Sequence, residues 1–357
     1  MTDSTDDMEM HSDAAQYYYE QELTREFDVA QQLTDGNGKK VISRAYADMG
    51  VSNQWEPTPF DRLRLWLTAF SGEGKTNFVM SDPESLVLDF EDSARDVPGG
   101  RAAYVHIPDS EAYMRIHSKL IEDGPAQSGF KRIVWDTVDK FLGHIIILLS
   151  AEYGCEYPKT ILEYADGRVG YTKIANFIQT RLEELYAAGY GWTVVGHISE
   201  KKDASGIATA APTLFPSAVQ RIYTDTQLML HLSREIDEVE LPGAGRTIKV
   251  GGVEKKIAAT KKVTRHELHI LPPDGDDSDL VKARYTEALL TEFRRGRPDD
   301  GSSLNITGIN AMPKLRAAWS AALAFERDRM EKVASTAPVA ATSAPVKKAL
   351  AKPIIRQ

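Results

Sequence analysis

The chain has 357 residues, a formal net charge of −9 and 42% hydrophobic residues, which suits one large or two small globular domains with a buried core. Its single cysteine, Cys155, excludes an internal disulfide and a cysteine-based zinc site. No apolar run is long enough to span a bilayer, and the acidic N-terminus is unlike a secretory signal, so we expect a cytoplasmic protein with no membrane partner.

The first 57 residues are expected to form an acidic extension, disordered at its start and partly helical after it. Residues 1–13 contain several acidic side chains and neither Lys nor Arg, a composition that is typical of disorder. Residues 14–57 are mixed in composition and include a candidate helix at 27–33.

Residues 58–295 are predicted to form the core. Apolar strands alternate with helical patterns as far as residue 232, which indicates an α/β fold with a mostly parallel central sheet flanked by helices. The predicted strands are 63–68, 85–90, 103–107, 132–135, 192–196 and 227–232, and the predicted helices are 110–122, 138–153 and 171–188. In the last helix the apolar residues recur with the helical period.

The C-terminal third of the chain departs from this alternation. Residues 240–270 combine β-rich pieces with glycines at two points, a pattern that predicts a β-hairpin insertion. Residues 296–333 are predicted to be helical, since Leu315, Trp319 and Leu323 recur at every fourth position. Residues 334–357 are rich in Ala, Pro, Ser and Thr and end with basic side chains, so we expect a flexible basic tail.

The most informative motif is the segment AFSGEGKT at residues 69–76. It predicts a phosphate-binding P-loop, in which glycines let backbone N–H groups close around phosphate oxygens, a Lys reaches the outer phosphates, and a Ser or Thr holds Mg²⁺. Ala69 stands where the first Gly is usual, and it is small enough to allow the turn. An apolar strand precedes the motif and a short helical stretch follows it, as a P-loop requires. We therefore expect ATP and Mg²⁺ as cofactors, with nucleotide contacts from Ser71, Gly72, Glu73, Gly74, Lys75, Thr76 and Asn77.

A carboxylate that would complete the Mg²⁺ site is Asp136, at the end of the apolar segment RIVWD. A strand that ends in Asp downstream of a P-loop is typical of nucleotide hydrolases, where this carboxylate binds the metal ion. The alternative is that Asp136 caps the helix that starts at Val138, because Asp is a favourable N-cap residue.

Two further polar residues follow predicted strands. Glu91 comes directly after the strand next to the P-loop helix, where it could activate the attacking water, or it could belong to a solvated acidic turn. His197 ends the strand at 192–196, where it could sense the terminal phosphate, or it could be a hydrogen-bonded structural histidine.

Together these segments resemble the small RecA-like P-loop ATPases encoded by bacteriophages, a family of ATP-binding proteins and single-strand-annealing recombinases. The resemblance lies in FSGEGKT at 70–76, SDP at 81–83, LVLDFE at 86–91, IVWDT at 133–137 and VVGH at 194–197, within residues 58–295. It implies a RecA-like core that binds ATP and Mg²⁺, binds single-stranded DNA, and forms homo-oligomers with shared active sites. It also implies a role in strand annealing or recombination beside a single-strand-binding protein or another replication protein.

The resemblance implies roles for individual residues as well. Glu91 falls where RecA-type folds keep their catalytic carboxylate, and His197 falls at the phosphate-sensing end of a strand. Lys282 and Arg284 resemble a Lys-x-Arg element that reaches the phosphates of the neighbouring subunit, as an arginine finger does; a solvated basic pair is the alternative. The catalytic residues that we expect are therefore Lys75, Glu91, Asp136, His197, Lys282 and Arg284.

Two segments are candidates for contact with single-stranded DNA, which requires positive charge along a groove. The resemblance implies a DNA-binding loop after His197, which contains Lys201 and Lys202. The other candidate is the predicted hairpin, where basic residues greatly outnumber acidic ones; its lysines include Lys255, Lys256, Lys261 and Lys262. An ordinary solvated hairpin is the alternative, since Lys is common on exposed strand edges.

The leading hypothesis from the sequence is a Mg²⁺-dependent, DNA-stimulated ATPase that acts on single-stranded DNA in phage recombination, repair or replication. One alternative is an ATP-dependent loader or remodeller of a replication protein. The other is a module that does not hydrolyse ATP, in which the bound nucleotide controls the binding of DNA or protein.

Overall fold

The computed structural model describes residues 52, 56–156, 159–164, 168–202, 208–250, 253–269, 288–289, 291–292, 303–307 and 310–336, and for 201–202, 208–209, 239–250, 253–259 and 333–336 it describes the backbone alone. The chain divides into two compact units, one of residues 58–326 and one that combines 1–57 with 327–357. The sheet and the helices that pack on it belong to the unit of residues 58–326. In the other unit, residues 327–336 form the end of the last helix.

The main elements of the described part of the chain are nine strands and six α-helices, besides three short 3₁₀-helices. The strands are β1 (Arg64–Ala69), β2 (Ser85–Asp89), β3 (Ala103–His106), β4 (Arg132–Asp136), β5 (Gly191–Lys202), β6 (Ala208–Pro212), β7 (Leu228–Val250), β8 (Val253–His269) and β9 (Ser303–Asn305). The helices are α1 (Lys75–Met80), α2 (Ser110–Ser128), α3 (Val138–Glu152), α4 (Arg168–Ala187), α5 (Pro216–Asp225) and α6 (Ala311–Thr336).

The strands form one sheet in the order β3-β2-β4-β5-β1-β7-β8-β9, with β6 paired to β5 alone. Neighbouring strands from β3 to β7 run parallel, whereas β8 and β9 are antiparallel additions at one side. The prediction of an α/β fold with a mostly parallel sheet flanked by helices is confirmed. All six predicted strands are present. Five of them are mostly buried on both faces and so produce apolar runs in the sequence, whereas β3 is an exposed edge strand.

Alternate residues of the central strands enter two different hydrophobic cores, one on each face of the sheet. On β1, Leu65 and Leu67 belong to the core that α1 and α6 cover, whereas Trp66 belongs to the core covered by α2, α3, α4 and α5. All three side chains are almost completely buried. Because β1, β2, β4 and β5 run parallel, their carboxyl ends lie along the same edge of the sheet, where ligands of open α/β folds bind.

The predicted hairpin is part of a longer antiparallel pair. β7 and β8 pair from His231 opposite His269 to Val250 opposite Val253. The sequence prediction ended the core strand at residue 232 because charged residues then replace the apolar run. Backbone pairing with β8 continues β7 through these polar residues, so the hairpin is an extension of the core sheet. We call residues 233–250 and 253–267 the β7–β8 arm.

The C-terminal helix α6 packs beside helix α1. Its Leu315 and Trp319 are buried in the same core as α1, as the predicted helical stripe requires. The backbone N–H of Met312 donates to the Ser81 hydroxyl at 2.7 Å, and Arg316 pairs with the buried Asp82 at 3.1 Å. Strand β9, which the sequence did not predict, has only three residues, too few for an apolar pattern to be recognisable.

None of the helices in the described ranges is both long enough and apolar enough to cross a lipid bilayer.

Candidate functional site

The P-loop segment connects the end of β1 to helix α1. Gly72 and Gly74 have φ angles of 82° and 92°, in the left-handed region that residues with a Cβ rarely adopt. Gly74 is the N-cap of α1, so the first backbone N–H groups of the helix have no partner within it. The loop thus places the first amide donors of a helix at the sheet edge, which is the arrangement that binds phosphate.

Lys75 is the first residue of α1 and is only 6% exposed. Its Nζ donates to the carbonyl oxygen of Phe70 at 2.8 Å and to that of Ala69 at 3.3 Å. Burial lowers the pKa of Lys75, while the carboxylates of Asp136 and Glu91 act in the opposite direction. The ammonium group of Lys75 is therefore held by two carbonyl oxygens of the loop, with two acidic side chains nearby.

Asp136 is the last residue of β4 and is completely buried. No donor in the described part of the chain lies within normal hydrogen-bond geometry of either carboxylate oxygen, although the Thr76 side chain is near enough to favour the ionised form. Burial raises the pKa of Asp136 to about 7, and the nearby Glu91 adds to this, whereas the Thr76 side chain and Lys75 oppose it. The N-cap of α3 is Thr137, so the alternative reading of Asp136 as the helix cap is wrong.

An unpaired buried carboxylate beside a hydroxyl fits a divalent cation. Oxygen ligands are what Mg²⁺ prefers, and a nucleotide site often needs only one or two protein ligands because phosphates and water supply the rest. No group of three or more His, Cys, Asp or Glu side chains that could hold a metal ion occurs among the described residues. Thr76 and Asp136 are therefore the residues that would hold Mg²⁺ together with the phosphates.

We expect Asp136→Asn to stabilise the nucleotide-free protein at alkaline pH. The folded-state pKa of about 7 lies above the usual value of 3.8, so folding binds this proton more tightly than the unfolded chain does. The resulting stability is fully present below the unfolded pKa and is lost as the pH rises through the folded pKa.

In EDTA at pH 8, urea denaturation should therefore give the variant an unfolding free energy about 2–4 kcal/mol above that of the wild type, shrinking towards zero near pH 4. A difference that does not change with pH would contradict a buried, unpaired carboxylate at this position.

Glu91 lies two residues beyond the end of β2, next to β4. Its Oε1 accepts a hydrogen bond from the Thr137 hydroxyl at 2.8 Å, and Thr137 directly follows Asp136. The buried Asp89 fixes the turn, because it accepts from the backbone N–H groups of Glu91 at 3.0 Å and Ala94 at 2.8 Å. Since Asp89 is also opposite Asp136 in the sheet, Glu91 and Asp136 belong to the same edge.

His197 lies on β5 directly beside the start of the P-loop, because it pairs in register with Ala69 of β1. Its backbone N–H donates to Asp139 at 2.8 Å, and its Nδ1 is 3.5 Å from the same oxygen. Burial alone would raise the pKa of Asp139, but hydrogen bonds from His197 and Thr213 bring it below its usual value. His197 is thus an anchored residue next to the phosphate loop, and its sensing role stays a prediction.

A second histidine flanks the P-loop strand from the other side. His231 of β7 pairs in register with Thr68, and its ring contacts that of Phe70 edge-on, with 6.4 Å between the centroids. Burial lowers the pKa of His231 to about 4, and the neighbouring His269 and Lys75 act in the same direction. This side chain is therefore neutral at pH 7.

A cavity of about 220 Å³ opens beside the P-loop. Helix α1 provides one side through Gly74, Asn77 and Phe78, and the loop after β2 provides another through residues 97–100. Leu232, His266, Ile306 and Ala311 complete the lining. The cavity is mainly apolar and lies next to the start of α1.

Six of the predicted residues have no described side chain. Lys282 and Arg284 lie outside the described residues, and the side chains of Lys201, Lys202, Lys255 and Lys256 are not described either. Lys261 and Lys262 are exposed on the β7–β8 arm. Lys262 lies 3.9 Å from Glu238 on the facing strand, and Arg265 pairs with Glu235 and Asp237, so acidic residues of β7 offset part of the basic charge counted on β8.

The sequence prediction missed four residues that shape this site. Thr137 and Asp139 lie one and three residues after Asp136, and a search of the first turn of α3 for hydrogen-bonding side chains could have found them. His231 and His266 had no such signal, because their places beside the P-loop depend on the order of β1, β7 and β8 in the sheet.

A model of the AAA domain family matches residues 61–264, which is more than half of the chain. The matched region includes the P-loop, Glu91, Asp136 and His197. A comparison with curated proteins gives no match. AAA domains are P-loop ATPase domains that generally bind ATP with Mg²⁺, and the amides at the start of α1, the buried Lys75 and the buried carboxylate of Asp136 fit this chemistry. The chain belongs to the AAA domain family of P-loop ATPases.

Proposed function

We propose that the protein is a RecA-like, Mg²⁺-dependent ATPase of the kind that bacteriophages encode, and that it acts on single-stranded DNA in recombination, repair or replication. The observation that supports hydrolysis best is the pair of acidic residues beside Lys75. Asp136 lies buried at the end of β4, and Glu91 is held next to it by Thr137. Glu91 also follows the strand after the P-loop helix, as the catalytic carboxylate does in RecA-like ATPases.

Each group at the site would have a separate role in phosphoryl transfer. The amides of α1 and the loop would bind phosphate oxygens, and Lys75 would leave the carbonyl oxygens of Ala69 and Phe70 to pair with the outer phosphates. Thr76 and Asp136 would hold Mg²⁺, which neutralises charge that develops on the phosphates. Glu91 is half-buried and would orient the attacking water.

The link to DNA rests on the strand that contains His197. Beyond His197, β5 leaves the sheet core and forms an antiparallel pair with β6, from Ile198 opposite Pro212 to Lys202 opposite Ala208. A change at His197 on loss of the terminal phosphate would therefore act on this hairpin through a continuous strand. The β7–β8 arm offers a second surface, since its 18 residues in β7 span about 60 Å.

Steady-state ATP turnover with and without single-stranded DNA tests the proposal. We expect DNA to stimulate turnover, with duplex DNA as the control. An ATP turnover rate that DNA does not change but a partner protein increases would favour a loader or remodeller instead. Nucleotide binding without turnover under either condition would favour a module controlled by ATP binding alone.

Reversing the charge of two arm lysines is expected to weaken DNA binding. Each phosphate contact with single-stranded DNA contributes about 0.7 to the slope of log affinity against log salt. The double variant Lys261→Glu and Lys262→Glu should therefore lower the slope by about 1.4. Lys140→Glu with Arg221→Glu, two exposed cations on α3 and α5, is the matched control. An unchanged slope in the arm variant would show that these lysines are only solvated.

A further inference from the structure

The cavity beside the P-loop is apolar except for three side chains. Asn77, Ser81 and His266 are the polar residues that line it, among apolar neighbours such as Phe78, Leu232 and Ile306. The Ser81 hydroxyl is already used, because it donates to the carbonyl oxygen of Phe78 at 2.6 Å and accepts from the Met312 N–H at 2.7 Å. Asn77 and His266 are therefore the polar groups that face a ligand.

His266 is fixed against the P-loop by its backbone and its ring. Its N–H donates to the Thr307 hydroxyl at 2.9 Å, and its carbonyl oxygen accepts from the Ile306 N–H at 2.9 Å. A Cβ on Gly74 would lie only 3.1 Å from Nε2 of His266, so the imidazole packs directly on that glycine. Its ring nitrogens have no hydrogen-bond partner among the described residues.

The charge state of His266 suits contact with a neutral group. Burial lowers the pKa of its imidazole, with Arg234 acting in the same direction and Glu73 in the opposite one. A neutral imidazole offers one donor and one acceptor. A site with an apolar wall and a few fixed polar groups is the usual arrangement for a planar ligand such as a nucleotide base.

The far wall of the cavity comes from outside the matched family region. His266, Ile306 and Ala311 all follow residue 264, where the family match ends. The phosphate loop is therefore part of the family region, whereas this side of the cavity is formed by the C-terminal part of this chain. Selection of the base can differ in this protein without any change in the P-loop.

We propose that His266 is a specificity-determining residue that hydrogen-bonds to the purine base of the bound nucleotide. The inference rests on the proposed ATPase function, because it places the phosphates at the amides of α1 and the base in the adjoining cavity. Asn77, which also lines the cavity, would limit the orientation of the base, and Gly74 belongs both to the phosphate loop and to the cavity lining. His266 thus contributes to affinity for the nucleoside part of ATP and not for its phosphates.

Calorimetry with two probes, Mg·ATP and Mg·tripolyphosphate, tests this assignment. His266→Ala should weaken ATP binding about ten-fold, the effect of one lost hydrogen bond in a desolvated site, while tripolyphosphate binding stays within about two-fold of wild type. His266→Gln, which keeps a donor and an acceptor, should recover part of the loss. His106→Ala, on the exposed strand β3, is the matched control. Tripolyphosphate binding also reports whether the P-loop is intact in each variant.

The inference is overturned if His266→Ala binds ATP as the wild type does, or if both probes weaken equally, because His266 would then act on the phosphate loop. It is also overturned if wild-type protein binds ATP no better than tripolyphosphate, although this result would not contradict phosphate binding at the P-loop. Wild-type protein that binds neither probe would refute the proposed function as well.

Discussion

Glu91→Gln is expected to reduce ATP turnover by about 10²–10⁴-fold, the usual contribution of a positioned general base. The affinity for Mg·ATP should change by no more than about three-fold, because Glu91 is expected to contact the attacking water and not the ground-state phosphates. Phosphate-release kinetics and calorimetry on the same preparation measure the two quantities. The substitution preserves the shape of the side chain and its acceptance of the hydrogen bond from Thr137, so the fold should not change.

Asp92→Asn is the matched control for this variant. Asp92 is the next residue, and it pairs with Arg95 at 3.0 Å on the surface. Its replacement should leave turnover within about two-fold of the wild type, since an exposed ion pair contributes little. Normal ATP turnover in Glu91→Gln, or a larger loss of turnover in Asp92→Asn than in Glu91→Gln, would show that Glu91 does not orient the attacking water.

Lys75→Met is expected to weaken Mg·ATP binding by at least about 100-fold and to lower turnover by about 10²–10³-fold, because it removes the cation that pairs with the outer phosphates. The nucleotide-free variant should still fold. Removal of a buried ammonium relieves its desolvation, which offsets the lost hydrogen bonds to Ala69 and Phe70, so the unfolding free energy should stay within about 2 kcal/mol of the wild type.

Urea denaturation and calorimetry check both parts of this prediction. Lys140→Met, an exposed position on α3, controls for loss of a positive charge and should bind ATP normally. A folded Lys75→Met variant that binds Mg·ATP with wild-type affinity would place the phosphate site elsewhere on the protein.

The parts of the site that are local in sequence could be predicted from the sequence. The P-loop needs only consecutive residues, Glu91 follows an apolar strand, and Asp136 is the last residue of another. The different roles of the neighbouring acidic residues could not be predicted, because nothing in the sequence distinguishes Asp89, Glu91 and Asp92. In the structure Asp89 is used to fix the turn and Asp92 pairs with Arg95.

Features that depend on strand order were not predictable. His231 and His266 reach the P-loop because β7 lies beside β1 and β8 beside β7, and no short pattern encodes that order. The length of the β7–β8 arm could not be predicted from the sequence for a related reason. Its charged residues interrupt the apolar run, while cross-strand backbone pairing, which is independent of side-chain type, maintains the strand.

The most direct test of the account is a calorimetric titration of the folded wild-type protein with ATP in the presence of Mg²⁺. The account predicts saturable binding at one site per chain that is lost in EDTA and in Lys75→Met. Absence of binding by protein with a cooperative unfolding transition would contradict the central claim that residues 71–77 hold the phosphates of a nucleotide.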